Sequence, residues 1–177
     1  LGDGYDLAYS RMGTMFFAYP VPAMRNIAAA LRPGGRLAMV VWRRREDNEW
    51  IFRAQQIVEG FVQRPEEYDE PTCGPGPFSM AGADTTSEIL LHAGFRDVAL
   101  HRCDLPIQVG RDMDEAIDLV MSLGPAGEIL RLSGERAAHL HEPIDAALRD
   151  GLGEFRREDG SVWAGASTWI VTATTPA

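Results

Sequence analysis

Residues 5–42, YDLAYSRMGTMFFAYPVPAMRNIAAALRPGGRLAMVVW, decide how this chain folds. The segment predicts a strand at residues 5–10, a helix that begins near two prolines, and a second strand at residues 37–42. Pro20 and Pro22 suit a helix start, since a proline in the first turn gives up no hydrogen bond. The sequence therefore predicts a strand–helix–strand unit.

The predicted helix has a recognisable apolar face and end. Its stripe recurs at helical spacing and consists of Val21, Met24, Ile27, Ala28 and Leu31. Arg32 suits the last turn of a helix, and Pro33 cannot continue it. Gly34 and Gly35 then predict a left-handed exit into the second strand.

The second strand is apolar on both faces. Two alternating sets share this character: Leu37, Met39 and Val41, and Ala38, Val40 and Trp42. A strand covered on both sides is typical of a parallel sheet, and a helix joining two such strands forms a right-handed crossover. Ligands of parallel sheets bind beyond the carboxyl ends of the strands, which are residues 10–16 and 42–45 here.

Composition excludes several classes of function. The 177 residues suffice for one domain, and the net charge of −9 argues against nucleic acid or an anionic membrane surface as partner. No apolar run approaches the ~20 residues that span a bilayer, and no secretory leader precedes the first strand. Cys73 and Cys103 form neither a disulfide framework nor a metal-ligand cluster. We therefore expect a cytoplasmic protein without a metal site.

The middle of the chain predicts two helices and a strand. Asp47 or Asn48 can cap a helix with an aromatic and aliphatic face, and the Pro- and Gly-rich residues 64–80 predict a loop. Asp84 can cap a short helix that ends at Gly94. A long strand follows and is predicted to be interrupted near Pro106.

The last third predicts helices and a final strand. Asp112 to Glu115 resembles a capping box, and Gly124-Pro125 predicts the end of the helix behind it. A further helical stretch starts at Ser133, and Pro143 is expected to kink or split it. Asp159-Gly160 is a hairpin signal, and residues 168–174 are the strongest β run.

Three motifs resemble one family, the class I S-adenosylmethionine-dependent methyltransferases of the small-molecule, ubiquinone- and menaquinone-biosynthesis-like group. They are the YDL opening of the first strand, the LRPGG at residues 31–35 and the ILLHAGFRDV at residues 89–98. The resemblance implies an α/β fold, a partial Rossmann-like doubly wound sheet with strands four to seven of the family and a helical lid. Residues 168–174 would lie antiparallel between the fifth and sixth strands.

The resemblance also implies a methyl-transfer site for a small-molecule acceptor. Ser10, Arg11 and Met12 would contact the cofactor, S-adenosyl-L-methionine. Four residues would line the substrate side: Met15, Trp42, Trp50 and Phe78. Core packing is the alternative for Met15, Trp42 and Trp50. The three arginines after Trp42 favour a solvated turn over an anion site for an acidic substrate. No residue is predicted to be catalytic, because positioning supplies much of the rate of such a displacement.

One departure from the family affects function. The Gly-rich cofactor turn must follow a strand and open a helix, and neither residues 2–4 nor residues 74–77 meet that condition. We therefore expect residues 1–177 to be the C-terminal part of one methyltransferase domain, with a lid insertion at 48–82 and a second helical region at 111–157. Activity would need the absent N-terminal half; a non-catalytic α/β module that binds a ligand or partner is the alternative.

An incomplete sheet also has a consequence for association. It would leave residues 5–10 as an unprotected apolar edge, so we expect the chain to self-associate through that strand or to be marginally stable.

Overall fold

The computed structural model describes residues 2–63 and 75–177, apart from the side chains of residues 135, 136 and 138. The strands are β1 (Tyr5–Arg11), β2 (Leu31–Trp42), β3 (Arg96–Gly110) and β4 (Val162–Thr174). The helices are α1 (Pro20–Ala30), α2 (Glu49–Glu59), α3 (Ala83–His92), α4 (Met113–Leu123), α5 (Pro125–Ser133) and α6 (His141–Gly151).

The strands form one sheet in the order β1-β2-β4-β3. β1 and β2 run parallel, with Ser10 opposite Met39, and α1 connects them. β4 runs antiparallel to β2, with Val171 opposite Met39. The sequence predictions of a parallel pair and of an antiparallel strand inserted beside it are confirmed, as is the mixed α/β class.

β2 supplies the buried centre of the sheet. Leu37, Met39 and Val41 are at most 2% exposed, while Ala38 and Val40 on the opposite face are half-buried. Full burial of one such aliphatic side chain contributes about 1.5–3 kcal/mol, so this strand fixes the positions of its neighbours.

The junction between α1 and β2 comes earlier than the sequence predicted. The helix ends at Ala30, and Leu31 already has an extended backbone with ψ 145°. Arg32 therefore lies outside the last helical turn; its Nε donates to Oδ1 of Asp6 at 2.5 Å. Gly34 adopts the predicted left-handed conformation, with φ +69°.

Two predictions in the middle of the chain were wrong. The N-cap of α3 is Gly82, and Asp84 lies inside the first turn, where its carboxylate still interacts favourably with the helix dipole. β3 passes through Pro106 without interruption. An edge strand tolerates proline because one side of its backbone needs no ladder donor, and β3 lies at the end of the sheet.

The predicted cap of α4 is confirmed. Asp112 is the N-cap residue, and its Oδ1 accepts a hydrogen bond from the Glu115 backbone N at 2.9 Å. The Glu115 carboxylate reaches one residue further back than in a standard capping box, to the backbone N of Arg111 at 2.9 Å.

The helices after α4 differ from the prediction. Pro125 begins α5, a helix that the sequence analysis missed. Gly124-Pro125 was interpreted as the end of α4 alone, but proline is also favoured at the first position of a new helix. The stretch after Ser133 is divided as predicted: a 3-10 helix covers Gly134–Leu140, and α6 begins at His141 with Pro143 in its first turn, where the missing N–H is tolerated. The predicted turn at Asp159-Gly160 is present, with Gly160 at φ +86° and a hydrogen bond of 2.8 Å from the Arg157 N to the Ser161 O.

The chain divides into two units. One contains the described residues 2–44, 75–103 and 167–177, and the other contains 45–63 and 104–166. The predicted lid at 48–82 and helical region at 111–157 stay predictions, and residues 64–74 lie outside the described part. None of the described helices combines the length and apolar content that a bilayer crossing requires.

Candidate functional site

The carboxyl ends of β1 and β2 lie side by side. Arg11 pairs with Val40, and the backbone N of Met12 donates to the Val40 O at 2.9 Å. The loop after β1 is therefore held against the last residues of β2. In an open parallel sheet this is the edge where ligands bind.

The chain turns through an unusual backbone conformation at this point. Met12 has φ +58°, a left-handed conformation that costs a residue with a Cβ about 1–2 kcal/mol. A Cβ added to Gly13 would lie 3.3 Å from the Ser10 Oγ, so the turn closes tightly around that hydroxyl. Backbone strain of this kind clusters at ligand sites and is maintained there by the surrounding structure.

The three predicted cofactor residues are consecutive, at the point where β1 passes into this turn, and their contact with a cofactor stays a prediction. Ser10 and Met12 are half-buried, and Arg11 is exposed. Ser10 and Arg11 are neighbours in the strand, so the hydroxyl and the guanidinium lie on opposite faces of β1.

Met15 connects this turn to the end of β2. It is 1% exposed, and its Sδ accepts a hydrogen bond from the backbone N of Trp42 at 3.3 Å. Its carbonyl accepts from the Ser79 Oγ at 2.6 Å and from the Gly76 N at 3.0 Å. Met15 is therefore a core residue that organises the site, and its contact with a substrate stays a prediction.

The other predicted substrate residues have different settings. Trp42 ends β2 at 9% exposure, and Phe78 is half-buried next to Ser79. Met15 thus brings Trp42 and the segment that carries Phe78 to one place. Trp50 belongs to the other unit, where it is 1% exposed in α2.

Arg43 corrects the expectation of a solvated turn after β2. Its side chain is half-buried, with the guanidinium carbon 4.8 Å from the ring centroid of Trp169. Its Nη1 donates to the Ser167 Oγ at 2.9 Å. Trp169 is itself fixed, because its Nε1 donates to the Ala81 O at 2.9 Å. Trp stacking and a hydrogen bond hold this cation at the end of β2.

Sequence reasoning missed Trp169 and Ser167 at this site. Trp169 stands opposite Val41 in the antiparallel ladder. The sequence analysis did predict that the last strand lies beside the second one, which brings residues 167–169 near the end of β2. The register that places the Trp169 indole beside Arg43 could not be predicted from residue types.

The shifted pKa values belong to structural pairs outside this site. The pKa of Glu115 is lowered by hydrogen bonds from Arg111, and that of Glu128 by a hydrogen bond from Arg131. A hydrogen bond from Ser161 likewise lowers the pKa of Asp159. Among residues 2–63 and 75–177, no three His, Cys, Asp or Glu side chains gather closely enough to hold a metal ion.

No protein-family model and no curated protein matches this chain by sequence. Solved structures do match. A Bacillus halodurans protein that carries a provisional methyltransferase name is 13% identical, with a TM-score of 0.51 over 100% of this chain and 67% of its own. The YcgJ protein of Bacillus subtilis is 12% identical, with a TM-score of 0.50 over 99% of this chain and 66% of its own.

These likenesses show the fold. The chain has the α/β, Rossmann-like fold of these two structures, as the sequence analysis predicted. It spans about two thirds of the length of the two proteins that it matches.

Proposed function

We propose that this chain takes part in S-adenosylmethionine-dependent methyl transfer to a small-molecule acceptor. The observation that carries the proposal is the strained turn at Met12, held against β2 at the carboxyl ends of the parallel pair. The methyltransferase fold supports it, since that edge is where open parallel sheets bind ligands.

The residues of the turn fit the amino-acid end of the methyl donor. The Ser10 hydroxyl can donate to the donor's carboxylate or accept from its ammonium group. The exposed Arg11 guanidinium offers a cation at the mouth of the turn, and charge-assisted hydrogen bonds to a carboxylate are the strong ones. The left-handed backbone of Met12 would determine how closely the ligand approaches β1.

We further propose that a segment beyond these 177 residues completes the donor site. The turn after β1 contains one glycine, Gly13, and leads to a three-residue 3-10 turn at Thr14–Phe16 before α1 begins. It therefore lacks the Gly-rich strand-to-helix turn that lets the protein backbone approach a cofactor closely. Coverage of about two thirds of the two matched chains is consistent with this second part of the proposal.

The donor supplies an activated methyl group, so the protein's task is positioning. Trp42 and Phe78 would bound the acceptor beside the turn, and Arg43 would hold that wall in place through Trp169. Holding two reactants in line at a fixed distance can raise their effective concentration to about 10⁵ M or more. A general base is not assigned, and the proton of a nitrogen, oxygen or sulfur acceptor leaves to solvent.

Calorimetric titration with S-adenosylhomocysteine tests both parts. We expect no saturable binding by the 177-residue chain and micromolar binding by the full-length gene product that contains it. Saturable binding by the 177 residues alone would contradict the second part and support the first.

Failure of both proteins to bind would contradict methyl transfer and favour the second candidate, a non-catalytic module that binds a ligand or partner. That candidate is favoured by one observation, an apolar groove of about 260 Å³ along β1 and α1.

A further inference from the structure

A short segment at residues 76–81 is held by the loop that follows β1. We call this segment, with the sequence GPFSMA, the strap. Two of its groups donate hydrogen bonds to one backbone oxygen, that of Met15: the Gly76 N at 3.0 Å and the Ser79 Oγ at 2.6 Å. A carbonyl oxygen has two lone pairs, so these two bonds use both. Ser79 is 6% exposed and is the one polar side chain of the strap.

The other end of the strap is held by different elements. The Met80 O accepts from the Thr86 Oγ1 of α3 at 2.7 Å, and the Ala81 O accepts from the Trp169 Nε1 of β4 at 2.9 Å. The Ala81 N in turn donates to the Phe78 O at 3.1 Å. All of these residues belong to the unit that contains the candidate site. Phe78 therefore lies between two fixed ends.

Met15 joins the strap to the rest of the candidate site. Its Sδ accepts from the backbone N of Trp42 at 3.3 Å, and the strained Met12 precedes it by three residues in the same loop. This one residue thus contacts the strap through its carbonyl and the end of β2 through its sulfur. Because Met15 is 1% exposed in a close-packed core, a displacement of the loop is transmitted to the strap.

We propose that Ser79 is a positioning residue that couples Phe78, on the acceptor side, to the turn after β1, on the side of the methyl donor. The inference rests on the proposed function, because only a methyl donor in that turn gives the coupling a role. A methyl donor that fixes the turn then also fixes the strap. Such coupling is reciprocal: the factor by which the methyl donor suppresses opening of the strap equals the factor by which opening weakens its binding.

Amide hydrogen exchange of the full-length gene product, measured residue by residue, tests the coupling. The Gly76 amide reports the bond to Met15, and the Ala81 amide reports the bond to Phe78. We expect saturating S-adenosylhomocysteine to slow the exchange of both amides about tenfold, within the usual range of coupling between two sites. In Ser79→Ala the slowing should disappear, and Ser79→Thr, which keeps the hydroxyl, should restore it.

Thr86→Val is the matched control. It also removes a buried hydroxyl that holds the strap, through the 2.7 Å bond to the Met80 O, but it leaves the link through Met15 intact. A hydroxyl that only stabilises the strap would give the same result at both positions. We expect Thr86→Val to raise the basal exchange of the Gly76 and Ala81 amides and to retain the slowing by S-adenosylhomocysteine.

Calorimetry on the same samples separates failure of this inference from failure of the proposed function. Binding of S-adenosylhomocysteine without slowing in the unaltered protein would overturn the coupling, and this result depends on no variant. Equal slowing in Ser79→Ala and the unaltered protein, or loss of the slowing in Thr86→Val as well, would also overturn it and leave the methyl-donor site in place. Absence of binding by the unaltered protein would overturn the proposed function and this inference together.

Discussion

The two edges of the sheet are built in opposite ways. β1 has seven residues and exposes Tyr5, Leu7 and Tyr9 by 54–66%. β3 has fifteen residues, and its sequence RDVALHRCDLPIQVG interleaves charged side chains with apolar ones and contains Pro106. Charges and proline are the usual means by which an edge strand resists further pairing. Among the described strands, β3 is thus the protected edge, and β1 lacks these features.

The loops that follow these strands differ in the same sense. β3 leads into α4 through a side-chain cap, in which Asp112 accepts from the Glu115 N at 2.9 Å. β1 leads into the left-handed Met12, and the 3-10 turn behind it has no side-chain cap. β3 therefore leads into a capped helix, whereas β1 leads into a strained, uncapped turn beside the candidate site.

The strand next to β1 should show the largest effect on stability. Met39→Ala removes a side chain that is 1% exposed and that accepts a weak hydrogen bond from Thr14 at 3.5 Å. We expect the free energy of unfolding to fall by about 2–5 kcal/mol, the range for such truncations in a core. Urea denaturation measures it. Val40→Ala, at a half-buried neighbouring position, should lose clearly less; equal losses would mean that this face of β2 is not the core.

The protected edge should lose stability when its helix cap is removed. Asp112→Ala leaves the Glu115 N without its side-chain acceptor, and such a loss costs about 1 kcal/mol. Thermal unfolding should show a lower midpoint, and Asp112→Asn, which keeps an acceptor oxygen, should restore most of the stability. No difference between the alanine and asparagine variants would contradict the role of the cap.

The strained turn should gain stability when its strain is relieved. Met12→Gly removes the Cβ that makes φ +58° unfavourable, and we expect a gain of about 0.5–1 kcal/mol after the higher entropy of the unfolded glycine chain is included. The second left-handed residue with a side chain in the described part, Asp97, is the control. Asp97→Gly should give no gain, because it loses a 2.7 Å hydrogen bond from the Thr174 hydroxyl. A loss of stability in Met12→Gly would contradict the interpretation of strain.

The smallest effect concerns pH at the protected edge. Hydrogen bonds from Arg111 lower the pKa of Glu115 from its ordinary value of 4.5 in the folded chain. A carboxyl whose folded pKa is depressed contributes stability above its unfolded pKa and loses it as pH falls through the folded value. The stability difference between wild type and Glu115→Gln should therefore be constant above pH 4.5 and shrink below it. A difference that grows on acidification would contradict this assignment.

The sequence predicted those features that depend on local chemistry. The apolar alternation of β2 indicated its burial, and the spacing of Asp112 and Glu115 indicated the helix cap. The sequence predictions failed where one residue type is compatible with two different structures. Pro125 follows one helix and opens another, and Pro106 is compatible with a strand only at an edge, which a local pattern does not reveal.

The candidate site was predictable in place but not in detail. The carboxyl ends of two parallel strands followed from the strand–helix–strand pattern, and residues 10–12 lie there, while their contact with a cofactor stays a prediction. The left-handed conformation of Met12 could not be predicted, because methionine has no preference for it. The stack of Arg43 on Trp169 depends on a ladder register between distant segments, which residue types alone do not specify.

The central claim is that the turn after β1 holds the methyl donor, and the affinity of the full-length gene product for S-adenosylhomocysteine tests it most directly. Ser10→Leu fills the space around a half-buried hydroxyl in that turn, whereas Ser87→Leu changes an equally half-buried serine in α3. The account predicts that Ser10→Leu weakens binding at least about tenfold, or 1.4 kcal/mol, and that Ser87→Leu leaves it unchanged. Equal affinities for the two variants, or no binding by the unaltered protein, would contradict it.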